Sequence, residues 1–266
     1  AVLTGTAAVA KTEDKTEVKN RVRVKFALSG TTDSGLKYGA SIRADNATAG
    51  VADTSGSQYI SGSFGKISMG DLNGADEQMV GDISALSFAG LGDKQEVSYQ
   101  TSGHNMAYTI SLAGFDFSVS GDTNVGSSTA MGVKWSGDLG GSTVTVGLGQ
   151  SDVSGKSETS ISASVAMSGF TGKFITSTND NGKAVAAVTE AAATASKSYV
   201  AAVAADATPD TTSSGFSISY NLDALTITAF NKDVKTKGTK GNGFSGVGRS
   251  YDLGGMIAKA GVADAD

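Results

Sequence analysis

Residues 21–30, RVRVKFALSG, alternate between polar and apolar side chains over most of their length. Successive side chains of a β-strand point to opposite faces of the sheet, so this period of two predicts a strand. Its apolar face carries Val22, Val24, Phe26 and Leu28, and its polar face carries Arg21, Arg23 and Lys25. The polar face of this strand therefore needs an environment, such as water or opposite charge, that tolerates three neighbouring cations.

The composition excludes several classes of protein. The chain has 266 residues with 18% charged side chains, 36 glycines, one proline and no cysteine, which fits neither a charged disordered chain nor a disulfide scaffold. The net charge of −5 argues against nucleic acid as the main partner. No stretch approaches the ~20 apolar residues of a membrane-spanning helix. The mean hydropathy near zero nevertheless suits a transmembrane β-barrel, because its strands alternate lipid-facing and water-facing residues.

The period of two recurs along the chain, which therefore reads as all-β. It is clearest in the stretches 105–112, 115–120, 142–149, 161–167, 216–220 and 225–229. There are roughly fifteen candidate strands, most of them near the ~9–11 residues that cross a bilayer at a tilt.

The connections between these strands are predicted to alternate strictly in length. Short links are expected at 31–35, 65–66, 113–114, 137–141, 168–169, 221–223 and 252–255. Long links are expected at about 11–17, 47–56, 72–104, 121–127, 151–157, 179–212 and 232–242. This rhythm indicates one antiparallel up-and-down barrel over residues 1–266, with tight turns at one rim and longer loops at the other.

Two long links and the aromatic residues add to this interpretation. Residues 72–104 are acidic, whereas residues 179–212 are rich in alanine and could hold a short helix. Loops of such length are usually functional. Six aromatic residues lie within a few positions of the short links, as in an interfacial girdle: Tyr38, Phe64, Phe115, Trp135, Tyr220 and Tyr251.

Four stretches carry a resemblance to a known family. They are RVRVKFALSGTTDSGLKYGASIRAD (21–45), ISGSFGKISMGDLNGADE (60–77), GVGRSYDLGG (246–255) and IAKAGVADAD (257–266). The chain resembles the general porins of alphaproteobacteria, in particular the Rhodobacter type. The resemblance implies a 16-stranded trimeric barrel in the outer membrane whose third long loop folds inward. Such porins close with a strand ending in phenylalanine, which this sequence lacks, so the last strand is expected to be missing.

The predicted pore lining combines strand parity with this resemblance. Parity places Arg21, Arg23 and Lys25, together with Arg43 of the next strand, on the face that would line the lumen. The resemblance places an acidic edge across from them, for which we predict Asp71, Asp76, Glu77 and Asp82. Opposite charges on two walls would create a field across the pore, through which small hydrophilic solutes and ions could diffuse. An exported protein of this kind is expected to have lost its signal peptide.

Several alternatives remain open at this stage. A secreted glycine-rich surface protein, such as an adhesin or surface-layer subunit, would have a similar composition. An enzyme would need a catalytic group that the sequence does not offer, because His104 is the only histidine. The acidic loop could bind Ca²⁺ through its carboxylates, although no EF-hand spacing is present. Arg249 is predicted to point outward with Val247 and Tyr251. It would then lie at a subunit contact or near lipid headgroups, unless the register of this strand is shifted by one residue.

Overall fold

The computed structural model describes residues 23–45, 56–84, 103–124, 128–181, 209–239, 241–254 and 257–265. Within these ranges lie fourteen strands and one helix. The first half comprises β1 (Arg23–Thr31), β2 (Lys37–Asp45), β3 (Gly56–Gly62), β4 (Gly65–Leu72), α1 (Ala75–Val80), β5 (His104–Leu112), β6 (Phe115–Gly121) and β7 (Ser128–Leu139). The second half comprises β8 (Ser142–Val153), β9 (Lys156–Met167), β10 (Phe170–Asp180), β11 (Thr211–Leu222), β12 (Leu225–Thr236), β13 (Asn242–Asp252) and β14 (Ile257–Ala265).

All fourteen strands form one sheet in which each strand pairs with its neighbours in chain order. Every pair is antiparallel, as between β1 and β2 or between β13 and β14. The all-β antiparallel prediction is therefore confirmed. No helix in the described ranges is long and apolar enough to cross a membrane.

Several predicted links differ from the structure. β12 runs to Thr236, so it extends into the link predicted at 232–242. The hairpin predicted to turn at residues 65–66 turns at Ser63 and Phe64, since Gly62 already pairs with Gly65. The link predicted to be long at 151–157 consists of Ser154 and Gly155 alone, so the strict alternation of link lengths is wrong there.

The conformation of the Ser154–Gly155 link explains its shortness. Ser154 and Gly155 both have positive φ angles, 54° and 78°. Positive φ at both central residues is the mark of a type I′ turn, the tight connection that suits twisted antiparallel strands. β8 and β9 also continue beyond the stretch of alternating apolar residues, and Asp152 still pairs with Ser157. The backbone hydrogen bonds between strands do not require apolar side chains.

The two faces of the sheet differ in chemistry, and we call them the apolar face and the polar face. Large hydrophobic side chains of the apolar face are exposed from β1 to β14; Phe26 is 65% exposed and Val262 is 77% exposed. The polar face carries mainly serine, threonine and glycine, and several of its serines are buried. A soluble sheet of this size would cover its apolar side, so this arrangement suits a lipid-facing wall.

Helix α1 and the residues after it pack against the polar face. The helix contacts β6, β7, β8 and β9. Val80 and Ile83 then form a small hydrophobic cluster with Ile175 of β10 and Phe230 of β12. Phe244 and Ala263, from β13 and β14, pack against the same cluster. The sheet must therefore curve around residues 75–84 to bring such distant strands into contact with them.

The two long loops lie partly outside the described residues. The acidic loop begins after Leu72 and ends before His104, as predicted, and residues 85–102 of it are outside. The alanine-rich loop runs between Asp180 and Thr211, and its possible short helix falls in residues 182–208, which are also outside.

Candidate functional site

The candidate site is the segment of residues 74–84, which we call the inner segment, together with the wall beneath it. Its helix starts at Gly74 without a side-chain cap. Instead, the Ala75 N–H donates a hydrogen bond of 2.7 Å to the Ser120 hydroxyl of β6. A wall residue therefore satisfies one of the N–H groups that a helix start leaves unpaired.

His104 links this anchor to the neighbouring strands. Its Nδ1 lies 2.7 Å from the Ser120 hydroxyl, and its Nε2 lies 2.8 Å from the hydroxyl of Ser128 on β7. His104 is only 2% exposed, and these two hydroxyls are the hydrogen-bond partners of its ring nitrogens. The single histidine thus connects β5, β6 and β7 beneath the start of the helix.

Three glycines on β7 and β8 form a seat for the helix. A Cβ atom on Gly132 would lie 2.6 Å from the Ala75 carbonyl oxygen, and one on Gly149 would lie 2.7 Å from Cα of Asp76. A Cβ atom on Gly147 would meet the Met79 carbonyl oxygen. Real Cβ atoms do not approach so closely, and the missing side chains let the helix backbone rest on the sheet backbone.

The rest of the inner segment is held by β10 and β11. The Ser84 N–H donates to the Ser217 hydroxyl at 3.1 Å, and a Cβ atom on Gly215 would lie 3.0 Å from Ile83 Cδ1. Lys173 Nζ would lie 3.1 Å from a Cβ atom on Gly81 and interacts electrostatically with Asp82. The segment is thus fixed at both ends, by hydroxyls and by opposite charge.

The predicted acidic residues lie on or beside the inner segment in different environments. Asp71 is exposed near the end of β4, where an irregular register between Met69 and Leu72 means that parity no longer assigns its face. Asp76, which the family resemblance suggested as part of an acidic pore edge, is 0% exposed between the helix and the sheet. Glu77, in the same helical turn, accepts a 2.6 Å hydrogen bond from Asn73. Asp82 lies beside Lys173.

Two of the predicted basic residues, Lys25 and Arg43, lie on the polar face of β1 and β2. Lys25 is directly opposite Arg43 in the ladder. Arg23 lies in β1 with the same parity and pairs with Asp45, whereas Arg21 is outside the described residues. Like charges directly opposite each other are destabilising unless water or an opposite charge compensates them. The pairing of Lys25 with Arg43 therefore indicates that water or an opposite charge compensates these two cations.

Sequence analysis did not identify the groups that hold the segment. These groups are the seat glycines, His104 and the hydroxyls of Ser120 and Ser217. Sequence analysis also missed the buried Glu158 of β9, which is 1% exposed and accepts hydrogen bonds from two wall serines, Ser160 at 2.9 Å and Ser177 at 2.5 Å. A signal was nevertheless present. Gly147 and Gly149 occupy alternate positions of one strand, and glycine inside a strand often marks the close approach of another backbone.

No group of three or more histidine or acidic side chains that could hold a metal lies within the described part of the chain. The described residues of the acidic loop thus lend no support to the calcium option. The remaining residues of that loop, 85–102, lie outside.

Comparison with known proteins gives consistent matches over nearly the whole chain. The family model for Gram-negative porins matches residues 2–266. The chain is 29% identical to a porin of Rhodobacter capsulatus over 95% of its own length and 89% of that protein's length. A solved porin structure superposes with a TM-score of 0.67 at 27% identity, covering 92% of this chain and 86% of the other.

A more distant structure shares the fold alone. It is an anion-selective porin from Comamonas acidovorans, with a TM-score of 0.56 at 14% identity over 91% of this chain and 78% of the other.

Proposed function

Since the chain belongs to the Gram-negative porin family, we propose that the inner segment narrows the channel that it forms across the outer membrane. Membership of this family makes the protein an outer-membrane channel and not an enzyme, and it sets aside the secreted surface protein as an alternative. The observation that carries the proposal is the seat of α1 on Gly132, Gly147 and Gly149. It holds a helix against the polar face, which is the face that lines the lumen of a porin.

The barrel in this proposal has sixteen strands. Fourteen lie within the described residues, and the family resemblance implies two more. Closure is supported by the reach of the inner segment. It contacts β6 through its helix, and its Val80 and Ile83 share a hydrophobic cluster with Phe230 of β12, which requires strong curvature of the sheet. An even number of strands is the rule for bacterial single-chain barrels.

The constriction combines two rows of opposite charge. The basic row is Arg21, Arg23, Lys25 and Arg43, and the acidic row is Asp71, Asp76, Glu77 and Asp82. The four acidic residues differ in their exposure to water and in their charged neighbours. Asp71 is exposed and Glu77 partly exposed, so these two should contribute most to the field in the pore water, whereas Asp76 is covered and Asp82 lies beside Lys173. Small hydrophilic solutes and ions are the expected cargo.

Reversal potentials in a salt gradient across a planar bilayer test the two rows. Replacing Lys25→Gln and Arg43→Gln together should shift the preference toward cations, and Asp71→Asn with Glu77→Gln should shift it toward anions. Both shifts should shrink as salt approaches 1 M, where the Debye length is about 3 Å. Lys235→Gln is the control, because Lys235 lies on the apolar-face side of β12 near its long-loop end. Unchanged potentials in both double variants would show that these rows do not form the filter.

We further propose that the protein is a homotrimer surrounded by outer-membrane lipid. The apolar face of β1–β4 has small residues such as Ala40 and Gly62 beside a groove of about 460 Å³ between Phe26, Ile42 and Met69. Side chains of a neighbouring copy could fill this groove and pack closely on the small residues.

The trimer is tested by the mass of the protein in mild detergent, where we expect three chains. Ala40→Phe should weaken the assembly, because a bulky ring would hold the neighbouring wall away. Ala163→Phe is the matched control, since Ala163 is on the apolar face of β9, away from the groove. A monomeric wild-type protein, or equal effects of both substitutions, would contradict the proposed interface.

A further inference from the structure

Arg249 is an exposed cation on the apolar face of β13. In the ladder it lies between Ile227 of β12 and Ala260 of β14. Its neighbours on the same face of β13 are Val247 and Tyr251, both exposed hydrophobic side chains. A guanidinium at this position would be surrounded by hydrocarbon unless it finds an anion.

The position of Arg249 along its strand differs from that of the other charged residues on this face. Strand pairing places five other charged residues of the described strands on the apolar face, and all five lie near the opposite rim of the sheet. They are Asp152, Asp180, Asp233, Lys235 and Asp264. Arg249 lies in the half of the sheet that holds the turn after Asp252.

The distance to the membrane surface is short enough for the side chain to span. Arg249 precedes Asp252 by three residues. At ~3.4 Å per residue and a strand tilt of ~40°, it lies about 8 Å from the turn. Tyr251 lies between Arg249 and Asp252, at a position that suits the aromatic girdle of a membrane interface. Arginine stems of this kind extend along apolar surface and bring the guanidinium to the headgroup level.

We propose that Arg249 binds the phosphate of a phospholipid in the leaflet next to the short turns. A guanidinium matches the geometry of a phosphate with two parallel hydrogen bonds. The apolar-face residues of β14 beside it are Ala258 and Ala260, which leave room for a headgroup above the strand. A second copy of the chain is a poorer partner. Parallel neighbours in a membrane meet at equal depth, and the apolar-face carboxylates of the described strands lie at the opposite rim.

Native mass spectrometry of the full chain in detergent tests this assignment, with phosphatidylglycerol as the probe. Arg249→Gln should lower the fraction of lipid-bound protein at least threefold at a lipid concentration that half-saturates the wild type. Arg249→Lys should retain part of the binding. Lys235→Gln is the matched control and should bind like the wild type. Diacylglycerol, which lacks the phosphate, should not distinguish Arg249→Gln from the wild type, and inorganic phosphate should not displace the lipid.

Three outcomes would overturn the proposal. The first is equal phosphatidylglycerol binding by Arg249→Gln and the wild type. The second is that Arg249→Gln loses as much diacylglycerol binding as phosphatidylglycerol binding. The third is that Arg249→Gln loses the oligomer but keeps the lipid, which would make Arg249 a subunit contact. Arg249→Leu repeats the test with a side chain that suits the apolar face, should the glutamine variant fold poorly. Channel conductance should be unchanged in these variants, because Arg249 lies outside the lumen. The lipid assignment and the constriction can therefore fail separately.

Discussion

Gly147 shows how a residue without a side chain can make room for a segment that packs on the polar face of the sheet. It lies on the polar face, where sequence parity assigns it a place among Thr143 and Thr145, and nothing in that pattern distinguishes it from them. In the structure, the backbone of Met79 occupies the space that a Cβ atom would need. The role of this glycine comes from a segment distant in sequence, and local pattern carries little information about such a contact.

Adding a side chain at this position should displace the inner segment. We expect Gly147→Val to push α1 away from β8 toward the lumen and to lower single-channel conductance. Overpacking of this kind typically costs about 1–3 kcal/mol, so the denaturation midpoint should also fall.

Gly172→Ala is the matched control for this substitution. Gly172 also lies inside a strand, β10, but a Cβ atom there would have no neighbour within 4 Å. If both substitutions leave conductance at the wild-type value, the glycine seat does not position the segment.

At the scale of elements, the inner segment is predicted to depend on an electrostatic contact between Asp82 and Lys173 of β10. Removing one partner leaves the other charge partly covered without this compensation, which is more damaging than removing both. We expect Lys173→Gln and Asp82→Asn each to raise the open-channel current noise. In the double variant, the increase in noise should be smaller than the sum of the two single increases.

A double-mutant cycle on the free energy of unfolding measures the same electrostatic interaction. Coupling energies between residues of one charged network are typically about 0.5–3 kcal/mol. Strict additivity of the two substitutions, in both noise and stability, would mean that this contact does not hold the segment.

Element boundaries show where sequence analysis succeeded and where it failed. Parity correctly placed Val24, Phe26 and Leu28 on the apolar face, because period-two alternation follows directly from strand geometry. It misjudged the link after β8, since the apolar alternation ends near Leu148 while the hydrogen-bonded ladder continues to Val153. The Ser154–Gly155 pair was the available signal, because small residues that tolerate positive φ favour two-residue turns.

At the scale of the whole molecule, the antiparallel order of all the described strands follows from short connections between strands of alternating pattern. The burial of Asp76 could not be predicted, because it depends on which side of a short helix meets the wall. Charge spacing alone does not reveal the rotation of a helix about its axis.

The central claim is that residues 74–84 lie against the inside of the channel wall, and an engineered disulfide tests it most directly. The chain has no cysteine, so new thiols have no competing partners. A Cβ atom on Gly132 would lie 2.8 Å from Cβ of Met79, so a shift of about 1 Å brings the pair to the ~3.8 Å typical of a disulfide.

Met79→Cys with Gly132→Cys should therefore cross-link on mild oxidation of the protein in bilayer or detergent. Ser136→Cys with Thr145→Cys is the positive control, since their hydroxyls lie 2.8 Å apart on β7 and β8. Met79→Cys with Gly172→Cys is the negative control, because Gly172 lies on the apolar face of β10. Complete cross-linking of the first pair is the result that we predict. Its failure under conditions that oxidise the positive control would contradict an inner segment seated on the channel wall.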